Sequence, residues 1–288
     1  MRNTEKLANI CGKRQAVTVP GAPNALFARL IEDLGFEVVY VTGAGIANMQ
    51  LGVPDLGLTT ISEVSNTVAS ISDVVELPII VDADTGFGNA LNVIRTIKTL
   101  EKSGASGIQI EDQVFPKRCG HFGGKEVISK SEMVQKIHAA VDARNDQSLQ
   151  IIARTDAALV EGLSSAIDRA QSYIDAGADI TFVEAPNSQM ELERIANELQ
   201  VPQIANIVYG GKTPDVGKAQ LAEFGFSLVL YANAILQATL KASHEVLQSL
   251  HEKGSLAAVT EQLASFDDRQ AVVKKFDWDK LEKKYISK

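Results

Sequence analysis

Eight short runs rich in Val, Ile and Tyr recur along this chain, each followed by a longer amphipathic stretch, and this alternation limits the fold more than any other feature. The runs are AVTVPG, VVYVTG, PIIVDAD, GIQIED, LQIIARTD, ITFVEAP, QIANIV and LVLY. Short runs of this kind between longer helical patterns are the sign of βα units and a parallel sheet. The intervening stretches, such as NALFARLIEDLGF and NALNVIRTIKTLEKSG, carry apolar residues at the 3.6 period, with Gly near several ends. SGASGIQI and AGADITFV each join a helix end to the next strand by a short turn. Eight such units close into an α/β fold of the (β/α)8 barrel type, for which ~250 residues is typical and 288 residues is ample. The alternative is a doubly wound open sheet, but no G-x-G-x-x-G follows the first run. Residues 1–288 read as one barrel domain, in which 232–288 form a helical C-terminal extension. That extension either packs on the barrel or crosses into a partner subunit.

Composition narrows the function. With 45% hydrophobic and 22% charged residues the chain has the makeup of a globular protein. A formal net charge of -8 argues against nucleic acid and anionic lipid as partners, so an anionic ligand has to meet local cations. The N-terminus MRNTEKLANICGKRQ lacks an apolar leader, and no stretch reaches the ~20 apolar residues of a membrane span, so the cytoplasm is the expected compartment. Cys11 and Cys119 are expected to stay reduced.

Active sites of this barrel lie at the C-terminal ends of the strands. In chain order those ends hold Thr42-Gly43-Ala44-Gly45, Asp82 and Asp84, Glu111 and Asp112, Arg154 to Asp156, Glu184, Asn206, and Tyr231 with Asn233. On a regular strand Asp82 and Asp84 point to one face. Two adjacent carboxylates cannot both ionise cheaply unless a cation shares them. With Glu111 on the neighbouring strand they form a hard oxygen set suited to Mg2+, or Mn2+. The alternative is that Asp84 and Thr85 cap the next helix or shape a turn. Arg154 either holds a substrate carboxylate in its planar fork or pairs with Glu184 or Asp156. TGAG can present backbone N–H groups to an anion.

The fourth run leads into VFPKRCGHFGGKEVIS, and the next helix opens only near the capping sequence SKSE. A loop this long in an otherwise tight barrel is usually functional or mobile. Lys117, Arg118 and His121 around Cys119 favour a reactive thiolate or a ready proton donor. Gly123 and Gly124 supply hinge freedom, as in a lid. The alternative is a solvated basic loop carrying an incidental cysteine.

The segments VDADTGFGN, IEDQVFPKRCGH, IIARTDA, FVEAP and ANIVYGGKTP, in this order and spacing, resemble the isocitrate lyase and phosphoenolpyruvate mutase superfamily across residues 15 to 240. The K-R-C-G-H segment after I-E-D-Q is similar to the lyase branch, which includes 2-methylisocitrate and 2,3-dimethylmalate lyases. The resemblance implies a Mg2+-dependent carbon–carbon lyase. Its substrate would be a small 2-hydroxy dicarboxylate or tricarboxylate, cleaved to pyruvate or another 2-oxo acid and a carboxylic acid. It assigns Asp82, Asp84 and Glu111 to the metal, partly through water, Tyr40 as base and Cys119 as proton donor, with Lys117 and His121 as further catalytic groups. Thr42, Gly43, Ala44, Gly45, Asp55, Arg118, Gly120, Arg154, Glu184, Asn206 and Thr213 line the substrate pocket on this reading. It further implies a loop that stands open until it closes over the substrate, and a homotetramer with a swapped C-terminal helix.

Three departures keep other activities open. Gln109 stands where methylisocitrate lyases often carry histidine, and TGAG stands where they carry serine and three glycines. Ala232-Asn233 in LVLYANAILQA resembles the WAN segment of the phosphonate mutases. Oxaloacetate decarboxylation or hydrolysis and P–C bond rearrangement are the enzymatic alternatives, and a silent dicarboxylate-binding barrel is the non-enzymatic one.

Overall fold

All eight runs become strands: β1 (Val17–Ala22), β2 (Val39–Val41), β3 (Ile79–Asp82), β4 (Gly107–Glu111), β5 (Gln150–Thr155), β6 (Ile180–Val183), β7 (Ile204–Asn206) and β8 (Leu228–Tyr231). The computed structural model describes residues 1–120 and 123–286. The strands are parallel and run in the order β6-β5-β4-β3-β2-β1-β8-β7. A parallel bridge between Thr181 and Gln203, with Thr181 N–H donating to Pro202 O at 3.0 Å, joins β6 to β7 and closes the barrel.

Period-two alternation divides each strand between two cores. Val39, Val41, Ile79, Val81, Ile108, Ile110, Ile151 and Ala153 face outward and pack in one cluster with the surrounding helices. Tyr40, Ile80, Ile152, Phe182 and Leu230 face inward and fill the barrel. Following the same alternation toward the C-terminal ends, the inward positions become Asp82, Gln109, Glu111, Arg154, Glu184 and Asn206. The register pairs Asp82 with Gln109 and Glu111 with Arg154, so the polar side chains sit side by side as one layer above the apolar ones.

The other end of the barrel is stoppered. A helix over Asn3–Gly12, absent from the sequence reading, lays Leu7 and Cys11 into the interior cluster with Ile80 and Ile152, and both are fully buried. Gly107 is small because this helix passes close by: a Cβ there would fall 2.9 Å from Leu7 Cδ2. Cys11 is therefore a core residue, and burial pushes its thiol up to about 12.

Beyond β8 the helix Ala234–Lys253 runs away from the barrel, with Ser249 its one buried residue and Leu240 and Leu247 70% and 64% exposed. Two shorter helices follow, Phe266–Val272 and Lys275–Tyr285. Among the described residues no helix is long and apolar enough to cross a membrane.

Candidate active site

Strand β3 ends at Asp82, and the chain then turns through a left-handed residue, Asp84, at φ 46°. Aspartate tolerates that conformation better than most side chains, and Asp84 N–H donates back to Asp82 Oδ1 at 3.1 Å. The two carboxylates thus converge through a turn, where a regular strand had been expected. Their meeting point lies beneath Gly43: a Cβ on that residue would sit 3.1 Å from Asp82 Oδ2 and 3.2 Å from Asp84 Oδ1. Any side chain at position 43 would fill the cradle. Gln109 Nε2 donates to the other Asp82 oxygen at 3.2 Å, and Gln109 Oε1 accepts from Tyr40 Oη at 2.8 Å. Burial first and Asp82 second hold the Tyr40 phenol well above its ordinary pKa, so it keeps its proton in this setting.

The Lys117 ammonium, 4% exposed, lies against Asp55 and 2.9 Å from Asp84 Oδ1. Burial alone would lower its pKa, but Asp84, Glu111 and Asp55 hold it well above the ordinary value. Even so, the cluster is short of positive charge. Asp55, Asp82, Asp84, Glu111, Asp156 and Glu184 outnumber Lys117, Lys125 and Arg154. Burial pushes Asp84 up to about 6 despite Lys117, and pushes Glu111 well above its ordinary range despite Arg154. Glu111 Oε1 is buried without a hydrogen-bond partner. Among the described residues no three acidic, cysteine or histidine side chains close around one point. Glu111 Oε2 lies 3.3 Å from Arg154 Nη1, so the carboxylates that face each other directly are Asp82 and Asp84, with Glu111 beside them in the same layer. A pair of buried carboxylates in an acid-rich pocket fits Mg2+, which commonly takes one or two carboxylates and fills its other positions with water and substrate.

Arg154 resolves differently from the simple alternatives. Its Nε and Nη2 donate to Asp156 at 2.9 and 3.1 Å, while Glu111 and Glu184 lie 3.3 and 3.4 Å from its other edges. Its guanidinium also stacks over Phe182, 5.2 Å from the ring centroid. The fork is held by the protein's own acids, and the edge that lines the cavity is what a ligand meets. Asn206 Nδ2 donates to Glu184 Oε2 at 3.2 Å, fixing the next wall.

The loop carrying Cys119 is docked over this layer, where an open loop had been expected. Gly120 packs so tightly that a Cβ would lie 2.5 Å from Arg154 Nη2 and 2.7 Å from Glu184 Cγ. Beneath the loop a cavity of about 30 Å³ is lined by Tyr40, Thr42, Asp82, Lys117, Cys119, Arg154, Glu184 and Asn206. That is room for a water or two. Outside the loop a mouth of about 590 Å³ shares Ala44, Asp55, Cys119, Val208 and Asn233 with the inner cavity. Cys119 stands at the neck between them, and neither cysteine forms a disulfide.

Other expected site residues fall elsewhere. Thr213 is buried but lines neither space. Arg118 is exposed and turned toward Gly124, so with Lys117 taken up by Asp55 and Asp84, the cations that flank Cys119 in sequence serve other contacts. His121 lies outside the described residues. Thr42 caps the turn Gly43–Ile46 by accepting from Gly45 N–H at 3.2 Å, and Gly45 packs on Thr42 and Pro23, so Gly43 and Ala44 are what remain of the expected anion cradle. Of the loop glycines only Gly124 is left-handed, at φ 74°. Three residues went unread: Gln109 as the link between Tyr40 and Asp82, Gln113, and Lys125. The I-E-D-Q segment pointed to Gln113, and strand alternation pointed to Gln109.

A parallel barrel with a carboxylate cradle, a buried arginine and a thiol on a loop over one small cavity defines an enzyme of the carbon–carbon lyase class. The phosphoenolpyruvate phosphomutase family matches residues 7–251, and the chain belongs to that family, within the superfamily it shares with the isocitrate lyases. It is 45% identical over 274 residues to 2-methylisocitrate lyase of Aeropyrum pernix, covering 95% of this chain and 88% of that one. It is 40% identical over 268 residues to 2,3-dimethylmalate lyase of Eubacterium barkeri, covering 93% of each. A crystal structure of 2,3-dimethylmalate lyase superposes with a TM-score of 0.93 at 30% identity, over 99% of this chain and 95% of the other. Phosphonopyruvate hydrolase in complex with oxalate and Mg2+ superposes with a TM-score of 0.89 at 28% identity, over 100% of both chains.

Proposed function

We propose that this enzyme cleaves a small 2-alkyl-2-hydroxy dicarboxylate or tricarboxylate of the 2,3-dimethylmalate or 2-methylisocitrate type, releasing pyruvate or a related 2-oxo acid and a carboxylic acid, with Mg2+ held by Asp82 and Asp84. The observation that carries the reading is that Cys119 lines the same cavity as Asp82, Arg154 and Glu184. When bound, Mg2+ would supply Lewis-acid polarisation of the oxygens on C2 and C1. The substrate carboxylate rests against the Gly43–Ala44 turn and the Arg154 edge. The C2 hydroxyl passes its proton to a carboxylate that lines the same cavity, Glu184, while Tyr40, expected from the sequence as base, keeps its own proton on the facing wall. The C2–C3 bond then breaks, C2 becomes the carbonyl of the 2-oxo acid, and the electron pair passes to C3 of the departing acid. Cys119 Sγ–H donates a proton to that carbon, and the docked loop keeps bulk water from doing so. The inner cavity is too small for such a substrate, so the loop lifts for entry and for release.

The test is a panel of 2,3-dimethylmalate, 2-methylisocitrate and oxaloacetate, assayed for pyruvate with Mg2+ and with EDTA. Product from neither alkyl acid, together with no effect of Mg2+ on stability, would refute the reading. Ala232 and Asn233 on the cavity wall, which resemble the WAN segment of the phosphonate mutases, favour one alternative, rearrangement of a phosphonate or decarboxylation of a 2-oxo acid. Turnover of oxaloacetate or phosphonopyruvate with none of the alkyl acids would select it. The outward, apolar-faced helix Ala234–Lys253 supports a homotetramer in which that helix covers the partner's barrel.

A further inference from the structure

The loop between β4 and the helix Lys130–Ala143 has two parts that are held in different ways. Its stem is an antiparallel ribbon: Gln113 bridges Val127, Val114 N–H donates to Glu126 O at 2.9 Å, and Ile128 N–H donates to Asp112 O at 2.9 Å. The Gln113 side chain grips the tip's backbone at one residue, accepting from Arg118 N–H at 2.9 Å and donating to Arg118 O at 2.8 Å. These contacts lie within the loop and its stem, and none ties the tip to the barrel.

Among the described residues, a contact that does so through a backbone atom comes from Lys125. Its side chain is 2% exposed, and its Nζ donates to Gly120 O and, at 2.6 Å, to Asp156 Oδ1. A lysine this deeply buried is costly unless its ammonium is partnered. One partner sits on the loop tip beside Cys119, and the other sits at the end of β5. Asp156 Oδ1 also accepts from Arg154 Nη2 at 3.1 Å, so a single carboxylate oxygen is shared by the lysine that holds the tip and the arginine that lines the cavity.

We infer that Lys125 is a positioning residue, the latch of the lid: it holds Gly120, and with it Cys119, over the cavity, and links lid closure to the orientation of Arg154 through Asp156. When the tip lifts, the bond to Gly120 O is lost while the Lys125–Asp156 pair stays with the barrel. Docking and the setting of Arg154 are then one event. This rests on the proposal that the loop is the gate of the catalytic cavity, but its test does not depend on which substrate is turned over.

The test is the rate at which iodoacetamide alkylates Cys119 in the full-length protein without substrate, followed by peptide mass spectrometry. Buried Cys11 serves as the internal reference. Lys125→Met keeps the side chain's bulk and removes its donors, and should speed alkylation of Cys119 by about tenfold or more, the size expected for losing a charge-assisted hydrogen bond. The direction is diagnostic, because taking a cation from the neighbourhood of a thiol makes it less reactive. Faster labelling therefore reports exposure. With an active substrate, kcat should fall about tenfold while KM moves less than about threefold. An alkylation rate equal to or below wild type overturns the inference. Should Lys125→Met fail to fold, Lys125→Gln, which keeps an N–H for Gly120 O and loses the charge facing Asp156, should still raise the rate by about threefold or more, and an unchanged rate overturns the inference equally. Faster alkylation in a protein that turns over no member of the substrate panel would leave the latch standing and remove the lyase assignment.

Discussion

Gly120→Ala isolates the geometry of lid closure from everything else in the fold. The backbone at Gly120 is outside the left-handed region, so alanine carries no torsional penalty there. What it adds is one methyl group at a point 2.5 Å from Arg154 Nη2 and 2.7 Å from Glu184 Cγ. Non-bonded heavy atoms prefer ~3.5–4.0 Å, so the tip must retreat by about 1 Å or push Arg154 aside by as much. A displacement of about 1 Å in a catalytic constellation can cost ~10²-fold in rate. That corresponds to about 2.7 kcal/mol of transition-state stabilisation. The readout is kcat/KM for pyruvate release from the best substrate of the panel, coupled to NADH oxidation by lactate dehydrogenase. Stability should fall by about 1–3 kcal/mol, the range for overpacking a buried site, so thermal unfolding is measured alongside to show that the variant is folded at the assay temperature. Gly123→Ala is the matched comparison, since nothing lies within 4 Å of a Cβ at that position and its φ is not left-handed; it should stay within about twofold of wild type. If Gly120→Ala retained half of the wild-type kcat/KM, or if the Gly123 variant lost as much, the closure geometry would not be what the catalytic step requires.

Cys119→Ser should lower kcat by ~10²–10⁴-fold with little change in KM, as expected when a positioned proton donor is lost; a variant that keeps kcat removes Cys119 from the chemistry. Asp84 gives a pH signature. Its carboxyl is pushed up to about 6, so between about pH 4 and 6 the folded chain holds a proton that the unfolded chain, with a carboxyl near 3.8, has released. This group's contribution to stability therefore falls as pH rises through that window. A cation that needs the carboxylate should raise Tm more at pH 7 than at pH 5, and an equal or larger Mg2+ shift at pH 5 in differential scanning fluorimetry would contradict this. Leu247→Glu, at an exposed apolar position of the outward helix, should reduce a tetramer to smaller species in light scattering. A wild-type mass near 30.9 kDa would show that the helix has no partner to cover.

The strand ends were legible because period-two alternation is a backbone property. It places Asp82, Glu111, Arg154, Glu184 and Asn206 inside the barrel once the eight runs are recognised. The rest depends on competition among side chains that meet only after folding. Glu111 was read as a third member of the Asp82–Asp84 set, and it also lies beside Arg154 in register and pairs with it. Lys117 and Lys125 look alike in a basic loop, yet one ammonium lies among Asp55 and Asp84 and the other joins Asp156 to Gly120. No local pattern distinguishes them. The stopper helix was missed because Asn3–Gly12 is short and only weakly patterned, and its burial comes from the open end of a barrel assembled from the whole chain.

The ribbon at the foot of the lid also bears on how such a catalyst can diversify. With Gln113 and Val127 pinned side by side, everything between them is an insert whose ends are already closed. Lengthening such an insert adds only ~0.6 kcal/mol of closure entropy per doubling. Asp82 and Arg154 belong to the strand ends, so on the proposed mechanism the proton donor can be exchanged without refolding what would hold the substrate. On that mechanism the last step is written in a replaceable part of the molecule, the first in a permanent one.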